Sequence, residues 1–188
     1  SREARDVSAS QTNLEAIGGS VTVSSFQKGM GKERMLDGSN RTFWHTRFKP
    51  TLAKPPHYVV IENPQGKEIE GLNYATWSGG NGNGQVEAYA IHFSDNGKDW
   101  GAPILTGPLE IRLANEQPIL FPEKTTKRFI KFLITDAHTL DGRSLASVGK
   151  LDVITTLSKE ASKSKVAVST RSTEDLKQVI KRFAERAF

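Results

Sequence analysis

Short segments of apolar and β-branched residues, separated by polar turns, recur along most of the chain. Residues 21–26 alternate between apolar and polar positions, and residues 57–62 form a nearly continuous apolar run, as expected for a strand buried on both faces. Because no convincing helical periodicity precedes residue 172, the pattern predicts an all-β fold, an antiparallel β-sandwich of about eight main strands. Further strands are predicted at 69–77, 85–94, 118–121, 128–135 and 145–155. The side chains expected to be largely buried are Trp44, Tyr58, Val60, Leu72, Tyr89, Ile91, Ile130, Phe132, Leu151 and Val153.

Polar loops separate the predicted strands. Residues 78–84 contain four glycines in seven positions, which gives the backbone too much conformational entropy for regular structure. Asn96-Gly97 is a dipeptide typical of type I′ hairpin turns, since both positions tolerate positive φ. We therefore expect a hairpin there, with Trp100 at the start of the returning strand.

The two ends of the chain differ from this central part. Residues 1–19 are polar and are predicted to be an N-terminal linker or edge segment, and residues 156–171 are rich in Lys and Ser, as in a linker. Residues 172–188 begin with a capping-box pattern and predict a C-terminal helix. Its apolar face contains Leu176, Val179, Ile180, Phe183 and Ala187. This helix either packs on the sandwich of residues 20–155 or begins a following domain of a longer parent protein.

The length and composition limit the class of protein. A chain of 188 residues is long enough for one domain of about 150 residues with a sizeable core. Cysteine is missing, which excludes disulfides, a thiolate nucleophile and cysteine-ligated metals but permits an oxidising or a reducing compartment. The sequence has no apolar run near the roughly 20 residues of a membrane helix and no signal peptide. It begins with Ser1, as expected for a piece of a longer protein.

The formal net charge of +5 is concentrated in the C-terminal part. Residues 156–188 hold eight Lys or Arg and four Asp or Glu, whereas the rest of the chain holds 18 basic and 17 acidic residues. A nucleic-acid-binding surface requires positive charge clustered on one face. The nearly neutral central part therefore argues against nucleic acid as a partner.

Catalytic signatures are missing from the sequence. The four histidines, at positions 45, 57, 92 and 138, do not have the spacing of a metal-binding helix, and the HExxH, GxSxG and P-loop motifs do not occur. The glycine-rich segment 78–84 joins two predicted strands, so no helix N-terminus is available there to bind a phosphate. We therefore expect a binding protein and not an enzyme.

The segment 35–46, with the sequence MLDGSNRTFWHT, combines a polar turn with a strand that carries an aromatic residue. Asp37-Gly38 is a turn dipeptide, and Trp44 is expected to fill part of the core. This segment and six others together resemble the coagulation factor V/VIII type C (discoidin) domain, which includes the family 32 carbohydrate-binding modules. The six other segments are 56–61, 71–74, 79–91, 94–100, 128–132 and 146–154. The resemblance implies the jelly-roll sandwich of the galactose-binding-domain-like superfamily over residues 20–155.

The resemblance also implies a ligand site, because in such domains loops at one end of the sandwich hold a sugar in a shallow pocket. Sugar recognition needs an aromatic face for the C–H side of the ring and a few planar polar groups for its hydroxyls. The matching candidates are His45, Arg47, Phe48, Trp77, Asn81, Asn83, Asp136 and His138. Structural roles are the alternative: a loop hydrogen bond for His45, burial for Trp77 and turn formation for the asparagines. Many members carry an arginine where this chain has Trp77, which predicts more stacking and no assured galactose preference.

The sequence thus predicts a non-catalytic carbohydrate-binding module of a larger secreted or surface bacterial protein, located outside the cell, in the periplasm or at the cell surface. The expected partners are an oligo- or polysaccharide and the other domains of the parent chain, and the module is expected to be monomeric. The alternative is a discoidin-like spacer or protein-interaction module that binds no sugar. A membrane partner is not favoured, since only Phe48 and Leu52 are candidate apolar loop-tip residues.

A structural calcium ion beneath the loop that contains Asp37 is also implied by the resemblance. If calcium is bound here, its ligands are expected from Asp37, Ser39, Asn40 and Thr42. In the family a glutamate of the last strand completes the ligand set, and Lys150 stands at that position in this chain. An ammonium group cannot ligate a cation. We therefore expect no cofactor and predict that Lys150 replaces the ion through a salt bridge to Asp37 and the 39–42 loop.

Overall fold

Antiparallel strands dominate the structure, as the alternating sequence pattern predicts. The structure, a computed structural model, describes residues 13–79, 81–112 and 115–155. Within these ranges one α-helix, one 3-10 helix and ten strands occur. They are α1 Asn13–Ala16, the 3-10 helix Lys32–Met35, β1 Ser20–Val23, β2 Trp44–His45, β3 His57–Glu62, β4 Ile69–Ala75, β5 Val86–Ser94, β6 Leu105–Pro108, β7 Gln117–Thr125, β8 Phe129–Ala137, β9 Ser147–Val148 and β10 Lys150–Thr155. Neither of these two helices has the length and apolar composition needed to span a bilayer. The predicted C-terminal linker and helix, 156–188, lie outside the described residues.

The strands form two packed sheets and a small third one. The larger sheet has the strand order β1-β3-β8-β5-β6, the second has β10-β4-β7, and the third pairs β2 with β9. Phe132 of the larger sheet stacks on Tyr74 of the second sheet, with ring centroids 6.0 Å apart. Buried residues from all three sheets form one continuous hydrophobic cluster. The architecture is therefore an antiparallel jelly-roll β-sandwich, as predicted.

Eight of the ten expected core residues are buried, and two on β3 are not. His57, Val59 and Ile61 face the core, whereas Tyr58 and Val60 are only half-buried. The prediction of a strand buried on both faces was wrong because side chains of a strand alternate between its faces, and the second face of β3 is only partly covered. Lys131 contributes to this partial cover, with its Nζ 5.4 Å from the centroid of the Tyr58 ring.

The connection after β5 also differs from the expected hairpin. The side-chain oxygen of Asn96 accepts hydrogen bonds from the backbone N–H groups of Lys98 and Asp99, each at 2.9 Å. This closes a longer polar loop, and the returning strand is β6, which pairs with β5 from Ala88 to Ile91. Trp100 therefore lies in the loop and does not begin the strand.

A short helical turn replaces part of the expected N-terminal linker. The carboxylate of Asp152, on β10, accepts hydrogen bonds from the backbone N–H groups of Asn13 and Leu14 at 3.0 and 2.9 Å. These bonds satisfy two of the unpaired donors that begin α1. Leu14 and Ile17 are buried, so this helical turn contributes two side chains to the core of the sandwich.

Candidate functional site

The small sheet of β2 and β9 is the foundation of the candidate site. Trp44 pairs with Val148 and His45 with Ser147. Trp44 is fully buried, and its indole N–H donates to the carbonyl of Ser25 at 2.9 Å. Because successive residues of a strand point in opposite directions, anchoring Trp44 in the core turns His45 toward the loops at this end of the sandwich.

The buried Thr46 joins this strand to the segment before β9. Its backbone N–H donates to the carbonyl of Ala146, and its hydroxyl accepts from the N–H of Ala146, both at 2.9 Å. Two hydrogen bonds between the same pair of residues fix their separation. The loops on either side of β2 and β9 are thereby held next to each other.

These loops enclose a cleft that we call the aromatic cleft. Four segments of the chain supply its walls: the segment before the 3-10 helix, the residues around β2, the β4–β5 loop and the loop before β9. Its lining residues are Met30, Phe43, His45, Phe48, Trp77, Asn81, Asn83, Arg143 and Leu145. Five of the eight candidate ligand-binding residues, namely His45, Phe48, Trp77, Asn81 and Asn83, therefore meet in one place.

Four aromatic rings form one wall of the aromatic cleft. Phe43 and Trp77 stack with centroids 4.0 Å apart and an interplanar angle of 27°. His45 meets Phe48 edge to face at 5.1 Å. The indole N–H of Trp77 donates to the carbonyl of Arg41 at 3.2 Å. Phe43, which the sequence analysis missed, covers one face of Trp77, so the two rings act as a pair and Trp77 is not a separate stacking platform.

His45 presents a defined hydrogen-bonding group to the cleft. Its Nδ1 lies 2.6 Å from the carbonyl oxygen of Thr46, so Nδ1–H donates and Nε2 carries the lone pair. Burial lowers the pKa of His45, and the nearby His57 and Arg143 lower it further against the opposing effect of the Thr46 bond. The imidazole is therefore neutral at pH 7, with Nε2 as an acceptor.

The two asparagines have structural roles as well as a place in the cleft. The side-chain oxygen of Asn81 accepts from the N–H of Asn83 at 3.1 Å, and the oxygen of Asn83 accepts from the N–H of Leu140 at 3.1 Å. The oxygen of Asn81 thus stabilises the turn, and the oxygen of Asn83 connects this turn to the loop after β8.

Two glutamines that the sequence analysis overlooked position the walls. The side-chain oxygen of Gln27 accepts from the N–H groups of Phe48 and Lys49, both at 2.9 Å. The buried Gln85 donates to the carbonyl of Trp77 at 3.0 Å and accepts from the N–H of Arg112 at 2.7 Å. A glutamine at the start of an apolar strand such as β5 is the sequence signal that could have indicated this role.

Arg143 is a charged lining residue that the sequence analysis also missed. Its Nε and one terminal nitrogen lie 2.7 and 2.6 Å from the same carboxylate oxygen of Asp141. This contact holds the pKa of Asp141 below and that of Arg143 above the ordinary values. The guanidinium that we expected to be missing beside Trp77 is therefore supplied to the cleft from a distant loop.

The other three candidates are placed elsewhere. Arg47 is exposed, and its Nε donates to the carbonyl of Thr51 at 3.3 Å. His138 lies beside Glu87, with Nδ1 3.5 Å from a carboxylate oxygen. Asp136 lines a neighbouring cleft that we call the polar cleft. Its polar lining residues are His57, Thr135, Asp136, Thr139, Arg143 and Ser144.

Lys150 lies beside the Asp37 loop but has a different partner from the one expected. It lines a depression with Gly38, Ser39 and Asn40, and its Nζ donates to the carboxylate of Glu116. Asp37 accepts instead from Thr42 Oγ1 and from the N–H of Ser39, the latter at 2.9 Å. The predicted Lys150–Asp37 salt bridge was therefore wrong, because Glu116 of the loop before β7 was not considered.

We propose that no divalent cation is held at the Asp37 loop. Among the described residues, no group of three or more His, Asp or Glu side chains is placed to hold a metal ion. At the Asp37 loop, the position of a ligating carboxylate is taken by the ammonium group of Lys150, whose charge repels a cation. The replacement of an ion by Lys150 remains a proposal, now with Glu116 as the ionic partner.

Comparison with known proteins identifies the class to which this jelly-roll sandwich with a loop-built cleft belongs. The family model described as "F5/8 type C domain" matches residues 20–147, and the chain belongs to this family. A galactose oxidase of Gibberella zeae is 28% identical over 139 residues, 68% of this chain and 19% of that protein. A sialidase of Micromonospora viridifaciens is 32% identical over 120 residues, 63% of this chain and 18% of that protein. The matched part thus spans about a fifth of the length of these curated relatives.

Solved structures share the fold. A family 32 module of Clostridium perfringens, solved with galactose, superposes with a TM-score of 0.61 at 18% identity, covering 76% of this chain and 97% of that one. Another module of C. perfringens, solved with GalNAc-β-1,3-galactose, gives a TM-score of 0.59 at 24% identity, covering 73% of this chain and 96% of that one. At such identities the likeness demonstrates the fold alone.

Proposed function

We propose that this chain is a non-catalytic carbohydrate-binding module of a larger bacterial protein that is secreted or exposed at the cell surface. The observation that carries the proposal is the aromatic cleft, where Phe43 and Trp77 form an apolar wall beside the acceptor His45 Nε2. A sugar ring presents one apolar C–H face and a rim of hydroxyls. Aromatic rings next to fixed polar groups match both features.

The polar groups of the cleft match hydroxyls better than charged groups. His45 is neutral at pH 7, and the charge of Arg143 is balanced by Asp141. Arg143 provides further N–H donors in a fixed plane, suited to two adjacent hydroxyls. The proposed ligand is accordingly a glycan, held by the aromatic pair and oriented by His45 and Arg143.

The relatives support this function and the location that goes with it. The C. perfringens modules were solved with galactose and with GalNAc-β-1,3-galactose. A polysaccharide or surface glycan is met outside the cell, in the periplasm or at the cell surface, and we infer one of these locations for the chain. The chemistry of a parent protein would then be performed by other domains.

A glycan array followed by calorimetric titration tests the proposal. We expect saturable binding of at least one glycan by the wild-type domain and a loss of about tenfold or more in affinity for Trp77→Ala, as for the central aromatic residue of a binding site. Trp100→Ala is the matched control, because Trp100 lies in the β5–β6 loop outside the aromatic cleft. Equal affinities for Trp77→Ala and the wild type would eliminate Trp77 as a ligand-binding residue.

A spacer or protein-interaction module is the second candidate. It is favoured by the contact between Phe43 and Trp77, since one face of the indole is already occupied within the protein. A folded wild-type domain that binds no glycan on the array would support this candidate and contradict carbohydrate binding.

A further inference from the structure

The aromatic and polar clefts are neighbours with a common wall. Arg143 and Leu145 line both of them, so the segment that carries these two residues separates one cleft from the other. Their volumes are about 210 Å³ for the aromatic cleft and about 290 Å³ for the polar cleft. Small-molecule sites usually have volumes from about 300 Å³ upward. Each cleft by itself therefore suits one small unit, and the two together suit a longer ligand.

The polar cleft contains hydrogen-bonding groups of both kinds. Thr135, Thr139 and Ser144 carry hydroxyls that donate and accept, and Asp136 adds a carboxylate acceptor. Arg143 adds donors, and its bond to Asp141 balances its charge and fixes its plane. Such a lining matches a neutral ligand rich in hydroxyls, since an anionic ligand would meet the carboxylate of Asp136.

His57 lines the polar cleft from the core side of β3. It is 3% exposed, and its Nε2 lies 3.2 Å from the carbonyl oxygen of Ser144, so Nε2–H donates and Nδ1 carries the lone pair. This Nδ1 has no hydrogen-bond partner among the described residues. Buried polar atoms are nearly always hydrogen-bonded. Because almost none of its surface is exposed, this nitrogen belongs to the interior wall and is not open to a ligand in the polar cleft.

We propose that the polar cleft is a second saccharide subsite and that the ligand is a neutral glycan of at least two units. One unit packs in the aromatic cleft, and the next lies in the polar cleft against Asp136 and Thr139. Arg143, on the common wall, donates to hydroxyls of both units. This inference rests on the proposed carbohydrate-binding function and extends it to the length and charge of the ligand.

Calorimetric titration with ligands of different length tests the second subsite. The neutral probes are galactose, N-acetylgalactosamine and the disaccharide GalNAc-β-1,3-galactose, and the charged probe is a mannuronate disaccharide. We expect the neutral disaccharide to bind about tenfold more tightly than either monosaccharide, which corresponds to one or two net hydrogen bonds. The neutral disaccharide should also bind more tightly than the charged one.

Two variants then locate the additional affinity. In Thr139→Trp, where the indole fills the polar cleft, and in the milder Asp136→Ala, the ratio of monosaccharide to disaccharide Kd should fall toward one. Thr106→Trp, on the edge strand β6, is the matched control and should keep the wild-type ratio. The melting temperature of each variant verifies folding.

The outcomes distinguish the two proposals. If the wild type binds the disaccharide no more tightly than the monosaccharides, or if both polar-cleft variants keep the wild-type ratio, the second subsite is wrong and the carbohydrate-binding function stands. If the charged disaccharide binds more tightly, the neutral ligand class is wrong. A folded wild type that binds none of the four probes and no glycan on the array would overturn both the subsite and the function on which it rests.

Discussion

His45 combines three constraints in one side chain. The backbone of β2 places it, the carbonyl of Thr46 selects its tautomer, and burial lowers its pKa. A histidine with its ordinary pKa would be partly protonated near neutrality and would lose the acceptor at Nε2. The lowered pKa keeps this acceptor available over the whole physiological pH range.

A pH titration of glycan affinity tests this role. Because the pKa of His45 is lowered, its imidazole stays neutral even at a pH below the ordinary pKa of histidine. The affinity should therefore stay constant from pH 8 to pH 6.5 and fall only at lower pH. His45→Ala should lose about tenfold in affinity, the effect of one or two net hydrogen bonds, and the remaining affinity should lack the fall at low pH. A decrease that is complete above pH 6.5 would contradict the lowered pKa.

Lys150 and Glu116 form the ion pair beside the Asp37 loop. Burial raises the pKa of Glu116, but the hydrogen bonds from Lys150 and Asn73 outweigh this effect, and the net pKa is lowered from its ordinary 4.5. The pair therefore adds stability that is fully present above pH 4.5 and is lost as the pH falls through the lowered pKa. Since Glu116 is 47% exposed, solvent screening limits the contribution to about 1 kcal/mol or less.

Thermal unfolding with and without chelator tests whether Lys150 replaces an ion. We expect Lys150→Met to lower the melting temperature at pH 7 by roughly 2–4 °C, and a chelator to leave the wild-type value unchanged. The exposed Lys54→Met serves as control. A wild-type melting temperature that falls with chelator and recovers with added calcium would refute the replacement.

At the scale of elements, Gly149 connects the sandwich to the site. β9 pairs with β2 of the small sheet and β10 belongs to the second sheet, so the chain changes sheets at Gly149. A Cβ at this position would lie 2.6 Å from both the carbonyl oxygen of Thr76 and the backbone nitrogen of Trp77. Glycine allows the strand to pass directly against the backbone that carries Trp77.

Gly149→Ala should therefore affect stability and binding together. We expect the free energy of unfolding to fall by about 1–3 kcal/mol, as for overpacking of a rigid interior, and the glycan affinity to fall because the backbone at Trp77 must move. Gly101→Ala is the control: its φ of +60° carries backbone strain, but nothing lies within 4 Å of the added Cβ. Unfolding by denaturant and calorimetric titration measure the two effects, and an alanine variant that binds glycan as the wild type does would disprove the coupling.

The sequence alone was sufficient to predict the elements that depend on a local pattern of residues. Trp44 in the core, the strands β3, β4, β5 and β8 and the fold class follow from alternation and turn chemistry. The half-buried Tyr58 and Val60 were mispredicted because a continuous apolar run does not reveal which face of a strand is covered. The position of Trp100 was missed because Asn96 closes a longer loop with its side chain, which the dipeptide Asn96-Gly97 alone does not reveal.

On the scale of the whole molecule, the candidate site is assembled from segments far apart in sequence. Phe43 and Trp77 were each visible in the sequence, but their stacking depends on the pairing of β2 with β9 and on the course of the β4–β5 loop. Arg143 enters from a loop nearly 100 residues after His45, so no local pattern could associate the two. The match to known discoidin segments recovered five of the eight candidates for the aromatic cleft because it carries this long-range arrangement implicitly.

The three tryptophans lie in three distinct environments, so intrinsic tryptophan fluorescence can report on different parts of the domain. Trp44 is fully buried, Trp77 lines the aromatic cleft, and Trp100 lies beneath the ammonium of Lys131, with Nζ 3.8 Å from its ring centroid. In a Trp100→Phe variant, ligand binding should change the emission of Trp77 and shield it from acrylamide, whereas denaturant should shift the emission of Trp44 to the red. Fluorescence titration then distinguishes ligand binding from unfolding without any label. If the emission of Trp77 does not change at a saturating glycan concentration, the ligand binds away from Trp77.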